Sequence, residues 1–229
     1  MGKTAILVDG GFYRKRISEA WLTHTPEESA MALVKYCRRH LSEHSEQHEL
    51  YRIFYYDCPP INKQVFDPLT GKSIDLGKHD NFKRMNDFLA SLKEKRKVAL
   101  RMGSLDVENT VITFSYDTVK KICNGTLDKS SLDKSCMQLS VKQKGVDMKI
   151  GIDIASLAYK KQVSQIVLIA GDSDFVPALK LARREGIDIV LDTMGMNISN
   201  DNALFEHIDG LRSCGDPYWT DNRERKATS

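Results

Sequence analysis

The sequence predicts an α/β fold, in which helices and a mainly parallel central sheet form a layered sandwich. Two observations carry this prediction. Short continuous apolar runs, bounded by turn residues, are typical of strands that are buried on both faces of a parallel sheet. These runs alternate with segments whose apolar residues recur at helical spacing, as βαβ units do. A chain of 229 residues can bury a sizeable core without disulfide staples.

Five apolar runs are predicted to form the strands of this sheet. The first run is closed by Asp9 and two glycines, and the second is closed by Cys58 and two prolines. The fourth run, at residues 166–170, carries the strongest signal for a buried strand. The predicted strands span residues 4–8, 50–56, 98–102, 166–170 and 187–191.

Four segments between these runs have the apolar spacing of amphipathic helices. They span residues 26–41, 82–92, 148–161 and 177–185. Thr25 is predicted to cap the first of them, with Glu27 and Glu28 in its first turn. Pro177 suits the first turn of the last helix, and Gly186 is predicted to end it.

The chain is interpreted as one domain over residues 1–215, followed by a polar tail at residues 216–229. Residues 104–142 fit the alternation least well and are predicted to be an insertion with one hairpin or a short helix. Tyr218 and Trp219 are expected to be exposed near the tail, where they could contact a partner such as a second copy of the chain.

The charge distribution leaves room for a nucleic-acid surface. The formal net charge is only +3, which excludes a histone-like polycation. Residues 61–143, however, hold 15 basic and 10 acidic residues, whereas residues 144–229 hold 11 and 13. Five cysteines without a C-x-x-C pair argue against a disulfide framework or a zinc ribbon. No apolar run reaches the ~20 residues of a membrane span, so we expect a protein of the reducing cytoplasm with no membrane partner.

Four carboxylates are predicted to meet at the carboxyl edge of the sheet, where open parallel sheets bind ligands. Asp9 follows the first strand, Asp172 and Asp174 follow the fourth, and Asp147 stands at the start of a helix. Crowded carboxylates repel one another, and one or two divalent cations would offset that repulsion. Oxygen ligands of this kind suit Mg²⁺ or Mn²⁺. Each aspartate alone also has the simpler interpretation of a helix cap.

Asp153 has a less certain place in this scheme. It lies six residues after Asp147, so ~600° of helical rotation places it about 120° away around the helix. It could be an outer metal contact or an ion-pair partner of Lys149, and we favour a supporting role.

Several motifs occur in an order that resembles NYN-domain proteins, in the LabA-like (DUF88) branch of the PIN-like nuclease group. They are residues 6–10 (ILVDG), 144–147 (KGVD), 153–159 (DIASLAY) and 171–175 (GDSDF). The resemblance covers about residues 4–212, and the second and fourth motifs are fairly specific in combination.

The resemblance implies a Rossmann-like, PIN-like three-layer sandwich and metal-dependent cleavage of RNA rather than DNA. It implies that the acidic positions of such an endoribonuclease are filled here by Asp9, Asp147, Asp172 and Asp174. One residue departs from the pattern, since Phe12 stands where many relatives have Asn. The alternative is therefore a non-catalytic nucleic-acid-binding or regulatory module.

Nearby cations are candidates for holding the phosphates of a nucleic acid. They are Arg14, Lys15, Arg16, Lys144 and Lys149. A solvated helix face explains the first three equally well.

Other kinds of site have less support. His40, His44 and His48 would share a face of a continuous helix, but no geometry for a third zinc ligand is evident. Ser173 lacks a histidine base that the sequence would reveal. Gly11 stands where phosphatases of the haloacid dehalogenase type have a second Asp, and a dinucleotide fingerprint is absent.

Overall fold

The computed structural model describes residues 2–41, 48–197 and 203–218. The chain folds into two compact units. The first unit comprises Met1–Asp57, Asp87–Gly103 and Gly145–Ser229. The second unit comprises Cys58–Asn86 and Ser104–Lys144, and the predicted insertion at residues 104–142 falls within it.

The strands and helices alternate along the first unit as predicted. In chain order the strands are β1 (Lys3–Asp9), β2 (Glu49–Asp57), β3 (Gln64–Asp67), β4 (Lys72–Asp75), β5 (Val98–Met102), β6 (Ser104–Leu105), β7 (Val111–Phe114), β8 (Met137–Ser140), β9 (Gln143–Lys144), β10 (Gln165–Ile169), β11 (Asp188–Asp192) and β12 (Gly210–Leu211). The α-helices are α1 (Gly10–Arg16), α2 (Ser18–Thr23), α3 (Pro26–Arg39), α4 (Asp80–Lys93), α5 (Tyr116–Cys123), α6 (Val146–Tyr159) and α7 (Val176–Arg184).

A six-stranded sheet forms the centre of the first unit. Its order is β12-β11-β10-β1-β2-β5, and every neighbouring pair is parallel. The five predicted strands are all present, each within one residue of its predicted bounds at either end. Helices flank this sheet, which confirms the α/β, Rossmann-type fold.

The core lies on the two central strands. Residues 5–8 of β1 and residues 166–170 at β10 are completely buried. Burial on both faces explains why these strands are continuous apolar runs rather than alternating ones. Their carboxyl ends, which carry Asp9 and Asp172, are thereby fixed side by side at one edge of the sheet.

The predicted helices are present, with the expected signals at their ends. Thr25 accepts a hydrogen bond from the backbone of Glu28, whose carboxylate in turn accepts one from Thr25, so α3 begins with a capping box. Pro177 lies in the first turn of α7. Gly186 follows that helix with a φ of +82°, in the left-handed region that glycine tolerates.

The second unit consists of small antiparallel pairs and one α-helix. Strand β3 pairs with β4, β6 with β9, and β7 with β8. Ser115 caps α5, and Asn124 and Gly125 form the predicted turn after it. Residues 104–142 therefore contain both a hairpin and a short helix, the two structures considered for them. The β3–β4 hairpin was not predicted.

The described part of the C-terminal tail lies against α3. The Tyr218 hydroxyl donates to the Oγ of Ser29 at 2.9 Å, and its ring lies 4.2 Å from that of His24. Tyr218 is half-buried, so the expectation of an exposed tyrosine was wrong. Trp219 lies outside the described residues. In the described part of the chain, no helix has the length and apolar character needed to cross a membrane.

Candidate functional site

Asp9 stands at the end of β1 and caps α1. Its Oδ1 accepts the backbone N–H of Phe12 at 3.0 Å, which is the capping bond that a simpler interpretation predicts. That bond fixes the orientation of the carboxylate at the centre of the sheet edge. It uses Oδ1 and not Oδ2.

Asp172 and Asp174 follow the neighbouring strand β10. The Oδ1 of Asp172 accepts the backbone N–H of Asp174 at 3.0 Å and caps a single 3₁₀ turn, Ser173–Phe175. Both carboxylates are exposed, whereas Phe175 is buried and anchors the turn. The turn therefore presents two acidic side chains at the surface from a fixed base.

Asp147 couples the acidic side chains electrostatically. It lies exposed in the first turn of α6, which begins after Gly145 with a φ of +80°. Displaced water raises the pKa of Asp147, and the charges of Asp172 and Asp174 raise it further. Burial raises the pKa of Asp9; the Phe12 N–H opposes this rise, and the charge of Asp147 adds to it. The four carboxylates thus lie within electrostatic reach through Asp147.

The fit of these residues to a divalent cation rests on their chemistry and charge. Within residues 2–41, 48–197 and 203–218, no group of three or more His, Cys, Asp or Glu side chains is arranged to hold a metal ion. Mg²⁺, however, usually keeps several waters and needs only one or two carboxylates beside a substrate phosphate. Hard oxygen donors that repel one another fit that mode of binding.

Asp153 is held on its own helix by two neighbours from the sheet. Its Oδ2 accepts hydrogen bonds from the Nε of Arg101 at 2.9 Å and from the hydroxyl of Tyr56 at 2.8 Å. Its ion-pair partner is therefore Arg101 rather than Lys149. These bonds tie α6 to β2 and β5 and suit a supporting role.

Phe12 forms an apolar contact between the segments that carry Asp9 and Asp172. A Cβ on Gly171 would lie 2.7 Å from the Cε2 of Phe12 and 2.8 Å from the Cε of Met196. The ring and the thioether therefore pack directly on the backbone before Asp172. A polar asparagine at position 12 would place an amide in this contact instead.

Among the predicted cations, Arg14 is engaged inside the first unit. Its guanidinium pairs with Asp57 and lies 3.1 Å from the hydroxyl of Tyr55, which donates to Asp57 at 2.8 Å. Asp57 is almost completely buried at the end of β2. This network lies under α1 and holds the helix in place.

The other cations differ in their surroundings. The Nη2 of Arg16 donates to the backbone carbonyl of Met194 at 3.1 Å, and Lys15 and Lys149 are exposed. Lys144 belongs to the second unit and pairs with Asp106 at 2.9 Å. That lysine lowers the pKa of Asp106 to about 2.

Asp192 was missed as a strand-end carboxylate. It ends β11 completely buried, and its Oδ2 accepts hydrogen bonds from Tyr36 at 2.5 Å and from the Nε2 of His40 at 2.9 Å. Burial alone would raise its pKa, but the bonds from His40 and Tyr36 outweigh burial and lower it. Asp192 and Asp57 both end a strand, and this shared position could have revealed them.

The zinc alternative does not survive the fold of α3. The helix ends at Arg39, and His40 turns inward to Asp192. His48 lies 2.9 Å from the hydroxyl of Thr4, and His44 lies outside the described residues. The three histidines therefore do not share one helical face.

Comparison with known proteins identifies the family. The model of the NYN domain matches residues 37–203, which include Asp147, Asp172 and Asp174 but not Asp9. No curated protein matches the chain. A solved structure of a protein of unknown function from Vibrio parahaemolyticus is similar at 14% identity, covers 94% of each chain and gives a TM-score of 0.45. Since the family model spans well over half of the chain, the protein belongs to the NYN domain family.

Proposed function

We propose that this NYN domain is a divalent-metal-dependent endoribonuclease of the LabA-like branch. NYN domains are PIN-like nuclease domains, and nucleic-acid binding follows from that membership at a coarse level. The observation that supports catalysis is the electrostatic coupling of Asp9, Asp147, Asp172 and Asp174 at the carboxyl edge of the sheet.

In this proposal the four aspartates hold Mg²⁺ or Mn²⁺. Such a cation supplies Lewis acidity, which lowers the pKa of water and offsets the charge that develops on a phosphodiester. The chain itself fixes the donors, because backbone N–H groups orient the carboxylates of Asp9 and Asp172. The exposed cations Lys15 and Lys149 would position the flanking phosphates. Arg14 and Asp153 would act indirectly, by holding α1 and α6.

The test is cleavage of a labelled single-stranded RNA and of a DNA of the same sequence, in Mg²⁺, Mn²⁺ or EDTA. We expect metal-dependent cleavage of RNA, and a loss of about 100-fold or more in Asp172→Asn. Asp188→Asn is the matched control, because Asp188 is an exposed aspartate at the opposite end of the sheet. Equal cleavage by Asp172→Asn and wild type would contradict the assignment.

A second candidate function is a non-catalytic nucleic-acid-binding or regulatory module. The contact of Phe12 and Met196 with Gly171 favours it, because it places apolar groups beside the acidic edge. Binding of RNA without cleavage in either metal would support this candidate and contradict the first.

We also propose that the protein works in the cytoplasm. All five cysteines carry free thiols, and Cys123 is exposed. Exposed thiols persist best in a reducing compartment.

A further inference from the structure

A cavity of about 580 Å³ opens beside the acidic edge, and nothing above assigns a ligand to it. It lies between the end of α1 with the start of α2 on one side and the segments after β11 and β12 on the other. We call it the α1–β11 pocket. Its polar lining includes Lys15, Arg16, Glu19, Ser213 and Asp216. Its volume is in the range of about 300–1,000 Å³ that is typical of small-molecule sites.

The walls of the α1–β11 pocket are held from behind by Asp192. The Oδ1 of this buried carboxylate accepts hydrogen bonds from the N–H of Met194 and the Oγ of Ser213, both at 2.7 Å. The N–H of Gly195 donates to the same Ser213 oxygen at 3.0 Å. Met194, Gly195 and Ser213 all line the pocket. One buried group therefore fixes two of its walls.

The C-terminal wall has a second attachment. The Nη1 of Arg39, on α3, donates to the backbone carbonyls of Cys214 at 2.9 Å and Asp216 at 2.7 Å. With both walls bonded to the protein interior, the cavity is preformed, and a ligand would lose little affinity to ordering it.

The lining suits the three parts of a nucleotide. Lys15 and Arg16 supply positive charge for a phosphate, and the bond from Arg16 to the Met194 carbonyl orients its guanidinium at the pocket. The carboxylates of Glu19 and Asp216 can accept hydrogen bonds from ribose hydroxyls or base amino groups. Ile17, Ala20 and Pro217 provide apolar surface for the face of a base.

The pocket also lies at a suitable distance from the proposed site of cleavage. Asp9 caps the start of α1, and Lys15 is in its last turn, ~9 Å along the helix at ~1.5 Å per residue. This separation is comparable to the length of one nucleotide unit.

We propose that the α1–β11 pocket binds a single nucleotide of the RNA strand, adjacent to the phosphodiester that the acidic edge cleaves. The location next to the cleaved bond rests on the proposed function, whereas nucleotide binding by the pocket does not.

The test is calorimetric titration of the full chain with adenosine and uridine 3′-monophosphates in EDTA, so that no divalent cation takes part. Inorganic phosphate and the two nucleosides form separate arms. We expect saturable binding of the monophosphates, and weaker binding of phosphate or nucleoside alone. Lys15→Ala and Arg16→Ala should each weaken nucleotide binding by about tenfold or more, since each removes a charged contact.

Two further variants separate the pocket from general charge effects. Ala20→Phe leaves the charges unchanged and fills the cavity, so it should abolish nucleotide binding. Arg184→Ala is the matched control, because Arg184 is an exposed arginine that lines a different cavity at α7. It should bind nucleotide as wild type does, and all variants should keep the wild-type circular dichroism spectrum.

The outcomes distinguish the pocket from the nuclease. Absence of nucleotide binding, or binding that Ala20→Phe and Arg16→Ala leave unchanged, would overturn the pocket even if RNA is cleaved. Nucleotide binding that these variants abolish, in a protein that cleaves no RNA, would support the pocket and overturn the proposed function.

Discussion

Two glycines at the ends of neighbouring strands make room for the side chains that support the acidic residues. A Cβ on Gly10 would lie 2.5 Å from the Oδ2 of Asp57, and one on Gly171 would meet the ring of Phe12 at 2.7 Å. Neither glycine has a positive φ in the structure, so close approach rather than backbone conformation requires them. Each glycine lies next to a proposed catalytic aspartate, and a larger residue there would displace that aspartate.

We therefore expect Gly171→Ala to lower the free energy of unfolding by about 1–3 kcal/mol, which is the usual cost of overpacking. RNA cleavage should fall with it, because the backbone before Asp172 must shift. Chemical denaturation and the cleavage assay measure the two effects. Phe12→Ala in the same chain removes the ring from the contact, so the double variant should recover part of the stability lost.

Gly151→Ala is the matched control for this prediction. Gly151 lies inside α6, and a Cβ there would meet only the Cβ of Ala178 at an ordinary 3.8 Å. Alanine favours the helix, so this variant should be more stable by about 0.5–1 kcal/mol. Equal stability of Gly171→Ala and wild type would show that Phe12 does not need the space.

Sequence reasoning located the acidic residues at strand ends but could not tell which of them are open. Asp9 and Asp172 were predicted because each follows a strong apolar run. Asp57 and Asp192 occupy equivalent positions, yet Arg14 neutralises the first, and Tyr36 and His40 bond the second. These partners are distant in sequence, so their pairing becomes visible only in the folded chain.

At the scale of secondary-structure elements, Asp192 joins β11, α3 and the C-terminal segment. Tyr36 lies in α3, His40 caps its end, and Ser213 follows β12. Because the pKa of Asp192 is lowered in the folded state, its charge stabilises the fold above the ordinary value of 3.8. That contribution is lost as the pH falls from there through the lower folded value.

Asp192→Asn should therefore destabilise the protein at pH 7 by about 3–5 kcal/mol, the usual cost of breaking a buried charged network. The difference from wild type should shrink below about pH 4, where the wild-type carboxylate becomes protonated. Urea unfolding at pH 7, 5 and 3.5 measures this dependence. Asp188→Asn, at the exposed start of β11, should show neither effect. A constant difference between Asp192→Asn and wild type at all three pH values would contradict the assigned pKa direction.

Elements with a strong apolar pattern were predictable, and those built by tertiary contacts were not. The five central strands were predicted within one residue because each is buried on both faces. Helix α1 was not predicted, since Gly10 and Gly11 are poor helix formers. In the structure Asp9 caps it, and Tyr13 is completely buried beneath it. The helix thus depends on its environment more than on its own sequence.

At the scale of the whole molecule, the net charge is confined to one unit. The first unit contains 23 basic and 23 acidic residues, whereas the second contains 11 and 8. The second unit therefore carries the entire net charge of +3. Its α5 presents Lys120 and Lys121 beside Tyr116, which is 80% exposed, and such neighbours suit a single-stranded nucleic acid. Binding of RNA is expected to depend on this unit as well as on the acidic edge.

The salt dependence of RNA binding tests this division of labour. Each phosphate contact to a single strand contributes about 0.7 to the slope of log K against log salt. Lys120→Gln combined with Lys121→Gln should therefore weaken RNA binding and reduce the slope by about 1.4, as measured by fluorescence anisotropy at several salt concentrations. Lys160→Gln combined with Lys161→Gln is the matched control, because this exposed lysine pair ends α6 on the far side from Asp147. If both pairs change the slope equally, general charge rather than the second unit governs binding.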